Sequence, residues 1–325
     1  MFCITRSFAV SRALGEDARA FLNSQLSSDV KSLATGHWQL SSYSTPKGRA
    51  LATFVVAAQG APDTFWLVTR HSVAAPTFKR LAMFVLRSKV QWAHEAYALI
   101  GVGGAAGAEA LAALLGGEPP TPGTCVAPAD AAPLATLARP ASEAGPLLIG
   151  LQADAWWLLL PETAVAAVGE TLRRTLAEID AAHWDAIEVA AGRPWVESAT
   201  VESFVPQMLN LDLTGGVSFK KGCYPGQEIV ARTQYLGKVK RRMLRFGCEL
   251  VGAAPPAPGA PLYVAGVAGQ AVGEVVLAAP FAAGRAQLLA VLQMDLAAGA
   301  ELRLGSPDGL LLEPLGLPYP LAPAA

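Results

Sequence analysis

Hydrophobic and polar positions follow two different periods along the first half of the chain, and each period predicts one kind of element. In GEDARAFLNSQLSSDV, the apolar residues Phe21, Leu22 and Leu26 have helical spacing. HWQLSSYSTPKGRALATFVVAA instead predicts two strands joined by a turn at Pro46-Lys47-Gly48. Further extended segments are predicted for TFWLVTR, for KVQWAHEAYALIGVGG, and for a hairpin in PLLIGLQADAWWLLLP.

Later helical stretches carry signals for where each helix starts or stops. Pro76 suits the first turn of a helix whose apolar stripe continues through Leu81 and Val85. GAEALAALLGG predicts an alanine-rich helix that ends at glycine, and DAAHWDAIEVAAGRPW a short helix that ends at Gly192 and Pro194. A longer stripe between them consists of Val165, Val168, Leu172, Leu176 and Ile179.

The pattern changes after Arg242, and this change divides the chain into two predicted domains. Short strands spaced evenly between glycines and prolines predict an antiparallel β-barrel or sandwich over residues 239–325. Helices and hairpins mix over residues 1–238, which predicts an α+β region. Residues 116–146 are rich in proline, alanine and glycine and predict connecting loops around one weak strand. We place the boundary between Gly237 and Val239.

Composition narrows the classes of function. The chain has 325 residues, of which 52% are hydrophobic, so it can bury a large core in two or three packing units. Its net charge of −1 excludes a global field that recruits nucleic acid or acidic membrane, so any anion site must be local. The N-terminal segment does not resemble a signal peptide, and no apolar run is long enough to span a bilayer.

Cysteine and histidine positions point to a reducing compartment and away from a resident metal. Cys3, Cys125, Cys223 and Cys248 are scattered, which argues against a disulfide framework and a zinc site and favours a cytoplasmic protein. The four histidines are isolated, without metal-ligand spacing, so we expect no metal site.

The densest chemical signal is FKKGCYPGQEIVAR at residues 219–232. Gly222 and Gly226 bracket Cys223, and a turn rich in glycine can project the thiol outward. Cations near a cysteine favour the thiolate and can hold a carboxylate or phosphate. The main local acid is Glu228, which could instead pair with Arg232 at helical spacing. The cations within or just beyond the motif are Lys220, Lys221, Arg232, Lys238, Lys240, Arg241, Arg242 and Arg245.

GGVSFKKGCYPGQEIVAR, preceded by AGRPW and FVPQMLNLD, closely resembles the YgfZ family of folate-binding proteins, relatives of the T-protein (aminomethyltransferase) of glycine cleavage. The similarity extends to GEDARAFLNSQLSSDV and STPKGRA and weakens over residues 104–146 and in the C-terminal strands. It implies α+β subdomains around a central channel, a C-terminal antiparallel β-barrel, and non-covalent binding of tetrahydrofolate or a derivative. It also implies a role in assembly or repair of iron–sulfur clusters in client enzymes, including one that methylthiolates tRNA.

The resemblance also implies which residues carry the function. The motif cysteine is Cys223, and with Lys221 and Glu228 it forms the expected catalytic set. Ala190 stands where aminomethyltransferases have a pterin-binding glutamate, with Glu188 nearby on another helical face, and no residue matches their catalytic aspartate. We therefore expect no glycine-cleavage activity. The expected folate contacts are Phe8, Trp184, Tyr224, Gln227 and Arg232.

Two other functions fit the sequence. A folate-dependent one-carbon transferase would need a base, for which Asp212 and Glu228 are the candidates. A binding module would dock RNA or an acidic protein on the basic segment, with a salt dependence centred on Lys240 to Arg242. The expected partners are folate and iron–sulfur client enzymes or assembly factors, without a stable nucleic-acid complex and without a membrane.

Overall fold

The computed structural model describes residues 1–60, 63–93, 96–129, 132–138, 145–235, 239–250, 252, 254–267, 269–296 and 299–321. Within these ranges the helices are α1 (Ala18–Gln25), α2 (His71–Met83), α3 (Ala105–Leu115), α4 (Pro133–Ala138), α5 (Val165–Arg173), α6 (Ala181–Ala190) and α7 (Gln227–Tyr235). The strands are β1 (Phe2–Thr5), β2 (Phe8–Leu14), β3 (His37–Ser44), β4 (Ala50–Ala58), β5 (Thr64–Arg70), β6 (Gln91–Ala93), β7 (Tyr97–Gly103), β8 (Cys125–Val126), β9 (Leu147–Gln152), β10 (Ala155–Pro161), β11 (Arg241–Glu249), β12 (Pro261–Val264), β13 (Gly273–Ala282), β14 (Arg285–Gln293), β15 (Leu302–Leu304), β16 (Leu310–Leu311) and β17 (Glu313–Leu315).

The chain forms two compact units that are not continuous in sequence. Unit 1 contains Met1–Gln25, Asp29–Leu40 and Phe54–Trp184, and unit 2 contains Leu26–Ser28, Ser41–Thr53 and Asp185–Ala325. The domain boundary predicted from sequence falls partly on residues 236–238, which lie outside the described chain, and it stays a prediction.

Unit 1 contains an antiparallel sheet with the order β1-β7-β10-β9-β8. Every residue of β10 is buried, so both faces of this strand are covered. Alternate residues Trp156, Leu158 and Leu160 enter the same cluster as Val168 and Leu172 of α5. One face of β10, with apolar residues at every second position, therefore packs against the apolar face of α5 to form this core.

A second sheet has the order β3-β4-β5-β2-β6 and includes the hairpin predicted around Pro46-Lys47-Gly48. Strand β5 is buried along its whole length, and α2 follows it directly. That helix begins at His71, so the predicted start at Pro76 is wrong. Pro76 is exposed in the second turn, because the buried stripe that includes Val73 and Leu81 directs helix formation across the proline.

The C-terminal strands form a seven-stranded antiparallel sheet with the order β16-β15-β12-β13-β14-β11-β17, curled into a nearly closed barrel. Strand β11 pairs with β14 along its full length, from Arg241 opposite Gln293 to Glu249 opposite Arg285. Alternate residues of β14, including Leu288 and Leu292, fill its core. This confirms the predicted antiparallel barrel and the α+β class.

Two segments differ from the sequence prediction. Helix α5 ends at Arg173, whereas the apolar stripe predicted a helix through Ile179; Leu176 still reaches the core from the turn that follows. The weak strand expected among the loops of 116–146 is β8, but α4 was not predicted, although its Leu134 is fully buried. In the described part of the chain, no helix combines the length and apolar character needed to cross a bilayer.

Candidate functional site around the Cys223 motif

Cys223 is exposed, and the other three cysteines are buried. Burial raises the pKa of Cys125 to about 12 and also raises the pKa of Cys248. Cys223 is thus the thiol that a reaction partner can reach from solvent. It lies in a segment, residues 219–226, that we call the thiol loop.

Lys221 attaches the thiol loop to an early part of the chain. Its Nζ donates hydrogen bonds to the carbonyl oxygens of Leu26 and Ser28, the latter at 2.8 Å. The same ammonium lies 4.9 Å from the ring centre of Tyr224, which is a cation–π distance. The side chain predicted to be catalytic therefore also has an anchoring role, and its catalytic role stays a prediction.

Buried serines hold the segment to which Lys221 binds. The Ser27 hydroxyl donates to the Gly216 carbonyl at 2.6 Å and accepts from the Ser42 amide at 2.8 Å. The Ser28 hydroxyl donates to Ser41 Oγ at 2.7 Å. This network was not predicted from the sequence, although its members stand as two serine pairs, in QLSSDV and in HWQLSSYS.

Glycine is required at one end of the thiol loop. Gly226 has φ +82°, and a Cβ there would lie 2.5 Å from the Thr45 carbonyl oxygen and 2.6 Å from Gly48 Cα. Gly222 is different, because a Cβ there would meet nothing within 4 Å. Only Gly226 therefore needs to be glycine for the backbone, while the open space at Gly222 leaves the main chain beside the thiol accessible.

Helix α7 begins directly after the thiol loop. The Gln227 amide donates to the Tyr224 carbonyl at 3.1 Å, and Gln207 Nε2 donates to the Val230 carbonyl at 2.6 Å. Glu228 and Arg232 are exposed on the helix, and no ion pair joins them in the described chain. Both side chains thus remain accessible to a ligand.

Tyr224 places a polar atom in an apolar environment. The residue is 6% exposed, and its hydroxyl has no hydrogen-bond partner among the described residues. Burial raises the pKa of Tyr224 to about 12, so the phenol stays neutral at ordinary pH. A buried donor without a partner is costly, and a ligand that accepts from it would remove that cost.

An ion pair at the start of β11 uses two residues that the sequence offered for other roles. Arg242 donates to both carboxylate oxygens of Asp212, at 2.6 and 2.9 Å, and both side chains are largely buried. Arg242 is therefore not part of an exposed basic segment. Asp212 is not a free base either, because both of its carboxylate oxygens accept hydrogen bonds from Arg242.

The end of the chain joins the loops around this pair. The Tyr319 hydroxyl donates to the Gly192 carbonyl at 2.9 Å and accepts from Asn210 Nδ2 at 3.3 Å. Asn210 also donates to the Met243 carbonyl at 2.8 Å. Gly192, with φ +62°, ends α6 as predicted, and a Cβ there would lie 2.8 Å from the Tyr319 ring.

Glu188 does not replace the carboxylate missing at Ala190. It is fully buried and accepts from Arg193 Nε at 2.7 Å and from Trp195 Nε1 at 3.0 Å. Its two oxygens are occupied by these bonds and by Arg193 Nη2 at 3.2 Å. The carboxylate stabilises the turn after α6 and is not presented to a ligand.

The two aromatic residues expected to contact folate belong to unit 1 and are buried. Trp184 has no exposed surface, and its indole covers Gly101 so closely that a Cβ there would lie 2.4 Å from the ring. Phe8 packs on Trp157 with ring centroids 5.0 Å apart and borders a cavity of about 540 Å³. The structure thus brings Lys221, Cys223 and Tyr224 together in unit 2 with the other motif residues, while Phe8 and Trp184 are core residues of unit 1.

No group of three or more His, Cys, Asp or Glu residues suited to a metal ion occurs among the residues that the structure describes.

The comparison with family models found no match, whereas the comparison with individual proteins found relatives that share one name. The tRNA-modifying protein YgfZ of Edwardsiella ictaluri is 32% identical over 312 residues, covering 94% of this chain and 88% of that protein. The protein of the same name from Photorhabdus laumondii is 34% identical over 234 residues, covering 71% and 66%. The match to the first of these extends over nearly the whole of both chains.

The fold is similar to a solved enzyme structure. The glycine cleavage system aminomethyltransferase T of Bartonella henselae superposes with a TM-score of 0.74, covering 96% of this chain and 83% of that one. The sequences are 17% identical, so this likeness concerns the fold alone.

Proposed function

The chain belongs to the YgfZ family of tRNA-modifying proteins, and from this membership we propose that it binds a reduced folate and helps to assemble or repair iron–sulfur clusters in selected enzymes. Cys223 is the residue that we propose to carry the chemistry. One of the client enzymes would be an enzyme that modifies tRNA, in keeping with the name of the relatives. The proposed compartment is a reducing cytoplasm, where a free thiol persists.

The observation that carries this proposal is the contrast between an exposed thiol and the anchored backbone on both sides of it. Lys221 is bonded to two carbonyl groups, and Gly226 is in close contact with Gly48. Cys223 between them is exposed. An exposed thiol on an anchored backbone suits reaction with a second macromolecule, because the loop loses little conformational entropy when the partner binds.

A single reachable thiol limits what the protein does with a cluster. An iron–sulfur cluster normally takes four thiolate ligands, and the other three cysteines are buried. The client enzyme must then supply the remaining ligands, so the cluster is cargo and Cys223 acts as a nucleophile or as a passing ligand. Glu228, in the first turn of α7, is the exposed acid proposed to exchange protons there.

The site residues fit a folate in part. The unpartnered hydroxyl of Tyr224 can donate to a ring nitrogen or carbonyl of the pterin, and the exposed Arg232 can hold a glutamate carboxylate. Gln227 offers an amide at the start of α7. Trp184 does not fit a stacking role in the conformation described, because its indole is fully buried. When bound, a methylene or formyl derivative of tetrahydrofolate would supply a one-carbon unit, whereas tetrahydrofolate itself would accept one.

Complementation tests the thiol. Cys223→Ala should leave the fold intact, measured by circular dichroism, and should abolish rescue of a strain that lacks this protein. Cys248→Ala is the matched control, because it also removes a thiol but from a buried position in the barrel, and it should still rescue. Full rescue by Cys223→Ala would remove this residue from the mechanism.

Fluorescence titration tests the folate. Tetrahydrofolate should change the tryptophan emission of the wild-type protein, with weaker affinity in Arg232→Gln. Arg174→Gln neutralises an exposed arginine of unit 1 and should bind as the wild type does. No saturable change in the wild-type protein would refute folate binding while leaving the role of the thiol open.

The alternative of a one-carbon transferase has weaker support. Of its two candidate bases, Asp212 is bound to Arg242 through both oxygens. Glu228 remains, so this alternative requires Glu228→Gln to abolish turnover of a methylene- or formyl-folate. Folate binding without turnover would count against it.

A further inference from the structure

The thiol loop runs back along α7. Phe219, at its start, contacts Tyr235, the last residue of α7, with ring centroids 6.0 Å apart and an interplanar angle of 71°. Gly226, at its end, directly precedes Gln227, the first residue of α7. The loop therefore spans the length of a nine-residue helix, which is about 13 Å at 1.5 Å per residue.

The surface along this path combines cations with an exposed aromatic ring. Lys220 and Arg232 are exposed, and Tyr235 is 67% exposed. Lys47 is exposed on the turn whose Gly48 packs against Gly226, so it stands at the thiol end of the path. We call this surface the α7 strip, and it consists of Lys47, Phe219, Lys220, Glu228, Arg232 and Tyr235; Cys223 lies in the same loop but is not part of the strip.

The α7 strip differs in charge from the protein as a whole. It carries three exposed cations and one exposed acid, Glu228, whereas the full chain has a net charge of −1. Lys221, the half-buried neighbour of Lys220, adds a fourth positive charge. A local positive field on a nearly neutral protein favours the approach of an anion to this surface.

We propose that the α7 strip docks a short single-stranded stretch of RNA. The phosphates would contact Lys47, Lys220 and Arg232, and a base would stack on the exposed face of Tyr235. Phe219 supports that ring from its edge. This inference rests on the proposed function, because it names RNA as a partner that binds beside the proposed reactive thiol.

The chemistry of the strip favours RNA over a protein partner. A stable protein interface buries about 800 Å² on each side around an apolar core. Among the residues that define the strip, the exposed side chains are three cations, one acid and the ring of Tyr235. Cations around one stacking ring are sufficient for single-stranded nucleic acid, which binds through phosphates and base faces. With few cations the complex is weak and dissociates as salt rises, in keeping with the expectation of no stable nucleic-acid complex.

Fluorescence anisotropy with a labelled 12-nucleotide oligouridylate tests the stacking contact in the full chain. Binding in low salt should be in the micromolar range typical of non-specific complexes. Tyr235→Ala should weaken it about tenfold, since stacking on one ring has roughly that value, and Tyr235→Phe should restore it. The matched control is Phe281→Ala, which removes a ring of unit 2 that is 53% exposed on β13, and it should bind as the wild type does.

Salt dependence tests the phosphate contacts. Arg232→Gln should lower the affinity and reduce the slope of log K against log salt by about 0.7, the value for one phosphate on a single strand. Arg174→Gln makes the same change of charge on unit 1 and should leave both quantities unchanged. Equal losses in Arg174→Gln and Arg232→Gln would show that only total charge matters, which overturns the proposal.

Two further outcomes decide between RNA and other partners. If polyglutamate of equal charge displaces the oligouridylate as well as unlabelled RNA does, the strip binds acidic polypeptide and the proposal fails. It also fails if the wild-type protein does not bind in low salt. Cys223→Ser should bind RNA normally while it fails to rescue the deletion strain, so failure of RNA binding and failure of the proposed thiol chemistry are seen separately.

Discussion

The C-terminal barrel and the thiol loop belong to the same compact unit but are stabilised in different ways. In the barrel, a continuous main-chain ladder joins β11 to β14, and alternate side chains such as Leu288 form the core. In the thiol loop, single contacts at Lys221 and Gly226 fix the backbone. A periodic structure distributes its stability over many residues, whereas an anchored loop depends on a few.

Leu288→Ala should give the largest loss of stability. Removal of this fully buried side chain should lower the free energy of unfolding by about 3 to 4 kcal/mol, because a cavity remains in the barrel core. Denaturant unfolding followed by far-ultraviolet circular dichroism measures it. The rate of Cys223 alkylation in the folded variant should stay the same, because the loop has its own anchors. A matching rise in that rate would mean that barrel and loop are not independent.

Gly226→Ala should have the next largest effect and should act on the loop. A Cβ at φ +82° and 2.5 Å from a carbonyl oxygen should cost about 3 kcal/mol through strain and overlap. Gly222→Ala, four residues earlier, is the control and should cost less than about 0.5 kcal/mol, because the space there is open. Unfolding and the exchange of α7 amide hydrogens would both be measured. Similar losses in the two variants would show that close contact with Gly48 does not define the loop.

Lys221→Met should have an intermediate effect. It keeps the length of the side chain but leaves two carbonyl groups without their charged donor, at a cost of about 2 kcal/mol. Cys223 should become more mobile, so its alkylation rate should rise. Lys220→Met, the exposed neighbour, should change neither quantity. An unchanged alkylation rate in Lys221→Met would contradict the anchoring role.

Tyr224→Phe should have the smallest effect at neutral pH, a rise of about 1 kcal/mol or less in the free energy of unfolding, because the hydroxyl that it removes is buried without a partner in the described chain. The difference should appear at high pH. Burial raises the pKa of Tyr224 to about 12 from its ordinary value of 10.0, so its contribution to stability is present below pH 10 and is lost as the pH rises toward 12. The unfolding free energy of Tyr224→Phe should therefore fall less steeply over that window than that of the wild type.

The sequence predicted the barrel better than the loop for a physical reason. Alternation along β11 to β15 is local information, and it was sufficient for the strands and their antiparallel class. The anchor of Lys221 lies 195 positions away at Leu26, and no local pattern encodes a contact of that range. Gly226 has no room for a side chain because Gly48 lies against it, whereas the space at Gly222 is open. Two glycines four residues apart do not show this difference in the sequence.

Site predictions followed the same division. The exposed thiol could be predicted because glycine and cysteine stand together in one short motif. The burial of Trp184 could not, since a tryptophan on a helical face suits both a core and a ligand platform until Gly101 is found beneath it. The basic segment likewise looked uniform in sequence, although Arg242 is buried with Asp212 while Arg241 is exposed.

The Tyr319 hydroxyl that joins Gly192 and Asn210 has a consequence for synthesis on the ribosome. Residues 26–28 leave the ribosome long before Lys221, and Gly192 and Asn210 leave it long before Tyr319. A nascent polypeptide therefore cannot form these contacts until Lys221 and then Tyr319 have emerged. The order of translation thus delays the anchoring of the thiol loop until a segment made much earlier meets its late partner.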